Sequence, residues 1–549
     1  MRREKYRQMS RKNIENLYPL SPMQHGMLFH TLYDTESEVY FEQIHCILGR
    51  LDVSAFRRAW RAVIERHAIL RTVFLWEGLE SPLQVVCRKV DIPFHEEDLR
   101  GDDESAQKAR FDAFLQADRG RRFELDTAPA QRFALLRLGD DSYRFVWSFH
   151  HLVLDGWSLP ILMQELFSFY AAYAAGKTLR LPRAKSFGDY IEWLGKQDMA
   201  RAETFWRARL QGFLAATPFR VDRGLPEGEA PESTYEEVLF DLPSEAAAEI
   251  TAFARAHKLT LNTLVQGAWS LVLARYSGED DVLFGATVSG RSAAIAGMES
   301  IVGMCINMMP VRVAVDPEKS VLDWLLRLQE RQSELREYEY SPLVEVQGWS
   351  DIPRGEQLFQ SIVTFENYPF DEAMLSGQGG LSVREFTATL GSNYPITVVC
   401  LPSPKGISFR VVYDTTRLDE DVMRRMTGHL ANLLTGMPQG ARALVRELPM
   451  LGKDELRTLL GTWNETAGPV HSTCVHSLFE AHAAATPDAP ALAFEGTTLS
   501  YAELSAKANR LARVLVKRGV GPDAIVAISL KPSLEIVIAL LAVLKAGGA

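Results

Sequence analysis

No uncharged apolar run in these 549 residues is long enough to cross a bilayer. The nearest, Ile536–Leu544, is short and flanked by Glu535 and Lys545. The opening stretch MRREKYRQMSRK is basic but is followed by no apolar segment, so it does not read as a signal peptide. Cysteine is scarce: Cys46, Cys87, Cys305, Cys400 and Cys474 are odd in number and widely spaced, with no CxxC pair. They suggest neither a disulfide framework nor a zinc site, and a reducing cytoplasm is the expected compartment. Excess charge is absent too. A net charge of −10 leaves no polyanion-binding footprint, so a monomer without nucleic-acid or membrane partners is expected. Apolar content of 47% and charged content of 24% are those of an ordinary globular protein, and the length implies three or four domain-sized units.

Against that plain background one segment stands out, SFHHLVLDGWS at residues 148–158. The run before it, Tyr143–Phe149, is aromatic and β-branched, as a strand should be. After it, Leu162, Leu166, Phe169 and Tyr173 recur at helical spacing until Gly176. Two adjacent imidazoles, His150 and His151, therefore sit on a strand-to-helix turn, with Asp155 and Gly156 just beyond. In an arbitrary HH dipeptide the plain reading is a buried pair capped by a turn aspartate. Two further helix-then-strand units imply helices on mixed sheets. Ser54 is expected to cap a helix carrying Phe56, Trp60, Val63 and Ile64, followed by a strand over Leu70–Leu75. Leu261–Tyr276 reads as a helix with Leu264, Trp269 and Leu273 inward, followed by Gly278 and the strand Asp281–Val288. Two polar loops punctuate the chain, LPEGEAPEST from Leu225 and the SGQGG stretch within Met374–Gly380.

The HHxxxDG pattern resembles the signature of nonribosomal peptide synthetase condensation domains, within the chloramphenicol-acetyltransferase-like superfamily. Other segments agree in order: YPLSPMQHGMLFH (Tyr18–His30), RHAILRTVF (Arg66–Phe74), FGDYIEWL (Phe187–Leu194), FGATVSGR (Phe284–Arg291) and IVGMCINMMPVRV (Ile301–Val313). The resemblance covers roughly residues 14–455. It implies an α/β fold of two acetyltransferase-like lobes set in a V-shaped pseudo-dimer, with lobes at 14–195 and 196–447. A basic leader occupies 1–13, disordered or docking to an upstream synthetase, and a linker is expected over 448–468. Beyond it, TPDAPAL, LSYAELSAKANRLARVL and LKAGGA resemble the start of an adenylation domain. Residues 469–549 are accordingly expected to be a truncated fragment of an adenylate-forming domain, unable to activate an amino acid.

The resemblance also implies the reaction. The α-amine of a carrier-bound acceptor attacks the thioester of a donor acyl chain, and a thiol leaves. His151 is carried over as the catalytic imidazole, either taking the proton as general base or holding the amine in a near-attack pose. His150 is expected to shape the turn. Asp155 is expected to fix the loop through an arginine, with Arg71 the first choice and Arg66 and Arg291 ranked below it. Gly156 is open to two readings: a backbone N–H that meets the oxyanion, or a turn that needs positive φ. Trp157 and Ser158 are expected along a pantetheine tunnel, and Asn307 near an acceptor channel. No LGGxS carrier motif is present, so phosphopantetheine is expected to arrive on upstream donor and downstream acceptor carrier domains, with no cofactor or metal bound by this chain. The motif context points to an L-donor, L-acceptor subtype. An epimerisation domain, a free-standing coenzyme A acyltransferase and a non-catalytic recruitment platform are the alternatives. Paired aspartates in place of the two histidines would mark a heterocyclising domain, and they are absent.

Overall fold

The computed structural model describes residues 11–33, 39–91, 93–126, 129–223, 234–291, 295–366, 381–389, 393–468 and 472–549. Most of the leader, nearly all of LPEGEAPEST and the SGQGG loop lie outside them. The chain forms two compact units, Met1–Lys453 and Asp454–Ala549.

The first unit holds two mixed sheets. One runs in the order β12-β2-β7-β6-β5, from β12 (Ser382–Thr389) through β2 (Phe41–Gly49), β7 (Ser142–His150) and β6 (Gln131–Gly139) to β5 (Phe94–Asp98). The other runs β10-β9-β11-β13-β14-β8, with β10 (Asn307–Ala314), β9 (Asp281–Val288), β11 (Ser361–Phe365), β13 (Ile396–Ser403), β14 (Gly406–Asp414) and β8 (Tyr235–Asp241). A small third sheet joins β1 (Ile14–Pro19), β4 (Leu83–Cys87) and β3 (Thr72–Leu75).

Helices cover these sheets with the faces their spacing dictates. Helix α1 (Pro22–Tyr33) turns Gln24, Met27 and Leu28 inward. Helix α2 (Val53–Arg66) buries Phe56, Ala59, Trp60, Val63 and Ile64, the i, i+3, i+4 stripe of an amphipathic helix. Its cap is Asp52, which accepts from the Ala55 N–H at 2.9 Å; Ser54, the cap expected from sequence, lies inside the helix. The strand that follows is shorter than expected because Ala68–Arg71 forms a 3₁₀ turn first. Helix α3 (Glu104–Arg119) packs Phe111, Phe114 and Leu115 against Ala134, Leu136 and Val146 of β6 and β7, and α4 (Ser158–Ala174) packs against α2. In the second half Thr260 caps a helix over Leu261–Ser277, Gly278 ends it at φ 75°, and β9 follows as the spacing predicts.

The two halves do not segregate by sequence. β12, from the second half, adds an edge strand to the first sheet, antiparallel to β2. Met298, Ile301, Val302, Met304 and Cys305, also beyond residue 196, are buried in the first core among Trp60, Trp147 and Leu166. Two glycines let that crossing segment fit. Gly290 has φ +60°, and a Cβ there would overlap the Cys305 carbonyl oxygen. Gly303 has φ +154°, and a Cβ there would overlap the Phe187 ring.

The second unit is built on a hairpin of β15 (Pro490–Phe494) and β16 (Thr497–Ser500), packed by helices Val475–Ala485, Tyr501–Lys517 and Leu534–Lys545 around Leu499, Leu504, Ala508 and Leu541. Among the described residues no helix is long and apolar enough to cross a membrane. Cys46, Cys87, Cys305 and Cys400 are buried free thiols, and Cys474 is an exposed one.

A comparison of two glycine variants tests the crossing segment. Gly176 is also left-handed, at φ +68°, but has open space around its missing Cβ. Gly176→Ala is expected to cost about 1 kcal/mol, the penalty of the dihedral alone, and Gly290→Ala about 3 kcal/mol or more because the backbone of Cys305 cannot yield. Urea unfolding of both variants reads the difference; equal losses would contradict the close approach.

Candidate active site

β7 is the central strand of its sheet, hydrogen-bonded to β2 on one side and β6 on the other, so its second half is buried on both faces. The ladder runs to its very end. The His150 N–H donates to the Ala130 carbonyl at 3.0 Å, and the His151 N–H to the Tyr40 carbonyl at 2.9 Å. The chain then turns through Leu152–Trp157 into α4, placing the histidine pair where a rigid strand ends.

The two imidazoles are held in opposite tautomers. His150 is buried; its Nδ1 accepts from the Leu152 N–H at 3.1 Å, so its Nε2 carries the proton and faces the Thr31 hydroxyl at 3.2 Å. Burial, with the neighbouring His151 adding to it, pulls its pKa down to about 3. This ring is neutral, and both of its nitrogens are engaged. His151 is half-buried, and its Nδ1 lies 2.6 Å from the Leu154 carbonyl, an acceptor only, so the proton is on Nδ1. Its Nε2 keeps a lone pair that meets no protein donor among the described residues. Burial holds its pKa below the ordinary 6.5, against partial offsets from the Leu154 carbonyl and the Asp155 charge.

Asp155 faces away from this chemistry. Its carboxylate is fully buried and accepts from the Ser158 N–H (3.0 Å) and hydroxyl (2.8 Å), the Cys305 N–H (3.0 Å) and both arms of Arg291 (2.7 and 3.0 Å). Burial works against the Arg291 charge, but the Asp155 carboxylate outweighs it and raises the guanidinium pKa above its ordinary value. The expected partner was Arg71, and that assignment is corrected. Arg71 is buried in a different place, where it donates to the Ile64 carbonyl at 3.1 Å and the Cys87 carbonyl and pairs with Glu15 at 2.8 Å. The 3₁₀ turn before β3 places it between the end of α2 and the small third sheet, where the Ile64 carbonyl of α2, the Cys87 carbonyl of β4 and the Glu15 carboxylate of β1 take up its donors. Arg66 is likewise occupied, on Glu165 at 2.9 Å.

Three further expectations change. Ser158 is fully buried, its hydroxyl accepting from the Gly303 N–H at 3.0 Å as well as donating to Asp155, so it braces the turn and lines no tunnel. Asn307 is also buried; its amide nitrogen donates to the Glu339 and Ser341 carbonyls, both at 2.8 Å, leaving it no donor for a ligand. Trp157 is half-buried, hydrogen-bonded to the Glu299 carbonyl at 3.2 Å with its ring 5.7 Å from the Arg291 guanidinium, so it shields the ion pair from solvent. Gly156 is half-buried, and the left-handed glycines among the described residues lie elsewhere. Its N–H meets no acceptor among the described residues, while its carbonyl accepts from the Leu159 N–H at 3.3 Å. Sequence reading missed Gln24 and Thr31 of α1, both of which touch the turn. Their spacing of seven on one helix face was the available signal.

Removing one member of a buried pair leaves an orphaned charge, at a cost of about 3–5 kcal/mol. Asp155→Ala and Arg291→Ala are each expected to lose that much, and the double variant clearly less than their sum, by at least about 1 kcal/mol. Urea unfolding of the three variants checks the cycle; strict additivity would show the two side chains act independently.

Comparison with known proteins follows the same division. The condensation domain family matches residues 14–460, and the AMP-binding enzyme family matches 479–549. One of the linear gramicidin synthase subunits of Brevibacillus parabrevis is 44% identical over 98% of this chain, which spans 7% of that protein. Surfactin synthase subunit 2 of Bacillus subtilis is 36% identical over 98% of the chain, which spans 15% of it. Among solved structures, holo-AB3403, a four-domain nonribosomal peptide synthetase, superposes with a TM-score of 0.75 at 15% identity, covering 99% of this chain and 42% of that one. The starter condensation domain of rhizomide synthetase gives 0.66 at 19% identity, covering 79% and 98%. With the histidine turn intact and the match running from β1 past β14, the chain belongs to the condensation domain family of nonribosomal peptide synthetases, acyl-transferring domains that form amide bonds, and continues into the start of an AMP-binding domain.

Proposed function

We propose that this chain joins two carrier-tethered thioesters by a peptide bond. The acceptor's α-amine attacks the donor thioester carbonyl, a C–N bond forms, the C–S bond breaks, and the proton lost by nitrogen ends on the leaving thiol. Both acyl groups are carried on phosphopantetheine arms of partner carrier domains. An L-aminoacyl or L-peptidyl donor and an L-aminoacyl acceptor are the substrates that the opening motif and the HHLVLDGWSLP context favour.

One observation carries the reading: with its proton on Nδ1, His151 has an Nε2 lone pair that meets no protein donor among the described residues, at the end of the central strand. A depressed pKa makes this ring a weak base but keeps it neutral. It is therefore suited to accept an N–H hydrogen bond from the neutral amine and hold it for attack. As the C–N bond forms the nitrogen becomes strongly acidic, and the same lone pair can then receive its proton. The unpaired N–H of Gly156, in a turn that does not require left-handed glycine, supports the oxyanion role for that backbone. Asp155 takes no part in proton transfer; with Arg291 and Ser158 it holds the turn.

Amide formation from a loaded donor carrier and a loaded acceptor carrier tests this. His151→Ala is expected to lower the rate about a hundredfold or more. Undiminished product would sink the assignment, and no product from the unaltered chain with any cognate pair would favour the recruitment platform. The pH profile tests the role. Because the His151 pKa lies below 6.5, the ring stays neutral at every pH above that value. The acid limb should then follow the acceptor amine, near about 8, and move when an acceptor of lower amine pKa is used. A limb fixed at 6.5 for every acceptor would contradict the neutral-ring mechanism.

A further inference from the structure

Leu152 sits at the centre of the histidine turn, where its peptide groups can join neither the β7 ladder nor the α4 hydrogen bonds. Both must still be satisfied, because the residue is buried. Its N–H donates to His150 Nδ1 at 3.1 Å, and its carbonyl accepts from the Gln24 side-chain amide at 2.9 Å. At Leu152, side chains therefore complete what the backbone bonds on either side begin, the His151 N–H to the Tyr40 carbonyl and the Val153 N–H to the His150 carbonyl at 3.1 Å.

Gln24 is fixed before it reaches Leu152. It is fully buried, and it forms a reciprocal cap with Ser21 at the start of α1: its Oε1 accepts from the Ser21 N–H at 2.9 Å, and its own N–H donates to the Ser21 hydroxyl at 3.3 Å. The amide oxygen also accepts from the buried Gln84 side-chain amide at 3.0 Å, and the amide nitrogen, 3.4 Å from the Gln84 oxygen, makes its shorter bond to Leu152. Two helical turns later on the same face, the Thr31 hydroxyl donates to the Met27 carbonyl at 2.8 Å, which leaves its oxygen lone pairs for the His150 Nε2–H. The path to the reacting nitrogen is short. Leu152 lies two residues before Leu154, whose carbonyl takes the His151 Nδ1 proton and so aims Nε2.

We propose that Gln24 and Thr31 are positioning residues for His151, gripping the turn from α1 without touching substrate themselves. This gives the segment Tyr18–His30 and its next residue a mechanical role in the reaction. It rests on His151 being the imidazole that meets the amine.

The test uses the full chain with both carriers loaded and saturating. Thr31→Val keeps the side chain's shape but removes the acceptor. It is expected to lower kcat about fivefold, the worth of one neutral hydrogen bond, with KM for either carrier unchanged. Thr31→Ser restores the hydroxyl and should restore kcat. Gln24→Met strands the Leu152 carbonyl and takes a partner from the Ser21 N–H and from Gln84, and should lower kcat further, with thermal unfolding run alongside to show that the variant folds. In chain carrying ¹⁵N-labelled histidine, Thr31→Val should also shift the ring-nitrogen signals of both His150 and His151, with the melting temperature lowered by only about a few degrees and the folded state fully populated at the assay temperature. If Thr31→Val and folded Gln24→Met keep kcat within twofold and leave the His151 ring signals in place, the positioning role is overturned, whatever His151→Ala does. If His151→Ala itself remains active, the catalytic reading fails, and the ring signals alone still decide whether these two residues hold the turn.

Discussion

A carboxylate removed from water must be surrounded by donors, and Asp155 shows what that demand does to a fold. Its own helix supplies only the N–H and hydroxyl of Ser158. The rest come from residues more than a hundred positions away, the guanidinium of Arg291 and the N–H of Cys305. Those donors reach it only because the segment after β9 leaves its own sheet and enters the first core, and that passage is open only where Gly290 and Gly303 lack side chains. The histidine turn is thus fixed from below by the second half of the chain. Above it, α1 and the last rung of the β2–β7 ladder do the same.

The histidine pair divides two needs between two identical side chains. His150 uses both nitrogens for structure, and burial keeps the ring neutral down to about pH 3. His151 uses one and, among the described residues, leaves the other without a protein donor. Burial that lowers the basicity of a catalytic base looks counterproductive. For the proposed attack by a neutral amine it is not, because a ring that is neutral before the attack keeps its lone pair free for the amine and takes a proton only once the C–N bond has made the nitrogen acidic.

What the sequence revealed tracks how local each interaction is. The strand before the histidines, the helix after them, and the Leu261 helix with the strand following it were all legible, since apolar spacing and caps are carried within a dozen residues. The histidine turn could be singled out because its residues are contiguous. Partnerships across the fold could not be read. Arg71 looked the better match for Asp155 because it stood in a conspicuous motif, and nothing in its neighbourhood announced the carbonyls of Ile64 and Cys87 that absorb it. Ser158 and Asn307 were polar residues beside motifs, and polarity alone does not separate a tunnel wall from a brace. Their buried amide and hydroxyl groups are satisfied from Gly303, Glu339 and Ser341, each well separated in sequence.

The edge strand β12 has a consequence for how the chain comes into being. It is the outermost strand of the first sheet, yet it is encoded more than three hundred residues after its partner β2. On a ribosome, β2 therefore emerges with one side of its backbone unpaired and stays so while some three hundred further residues are added. An open strand edge of mostly buried residues, FEQIHCILG, is a template for pairing with another nascent chain. The first sheet cannot close until Thr389 has been made, when strands β8 to β11 of the second sheet already exist and only β13 and β14 are still to come.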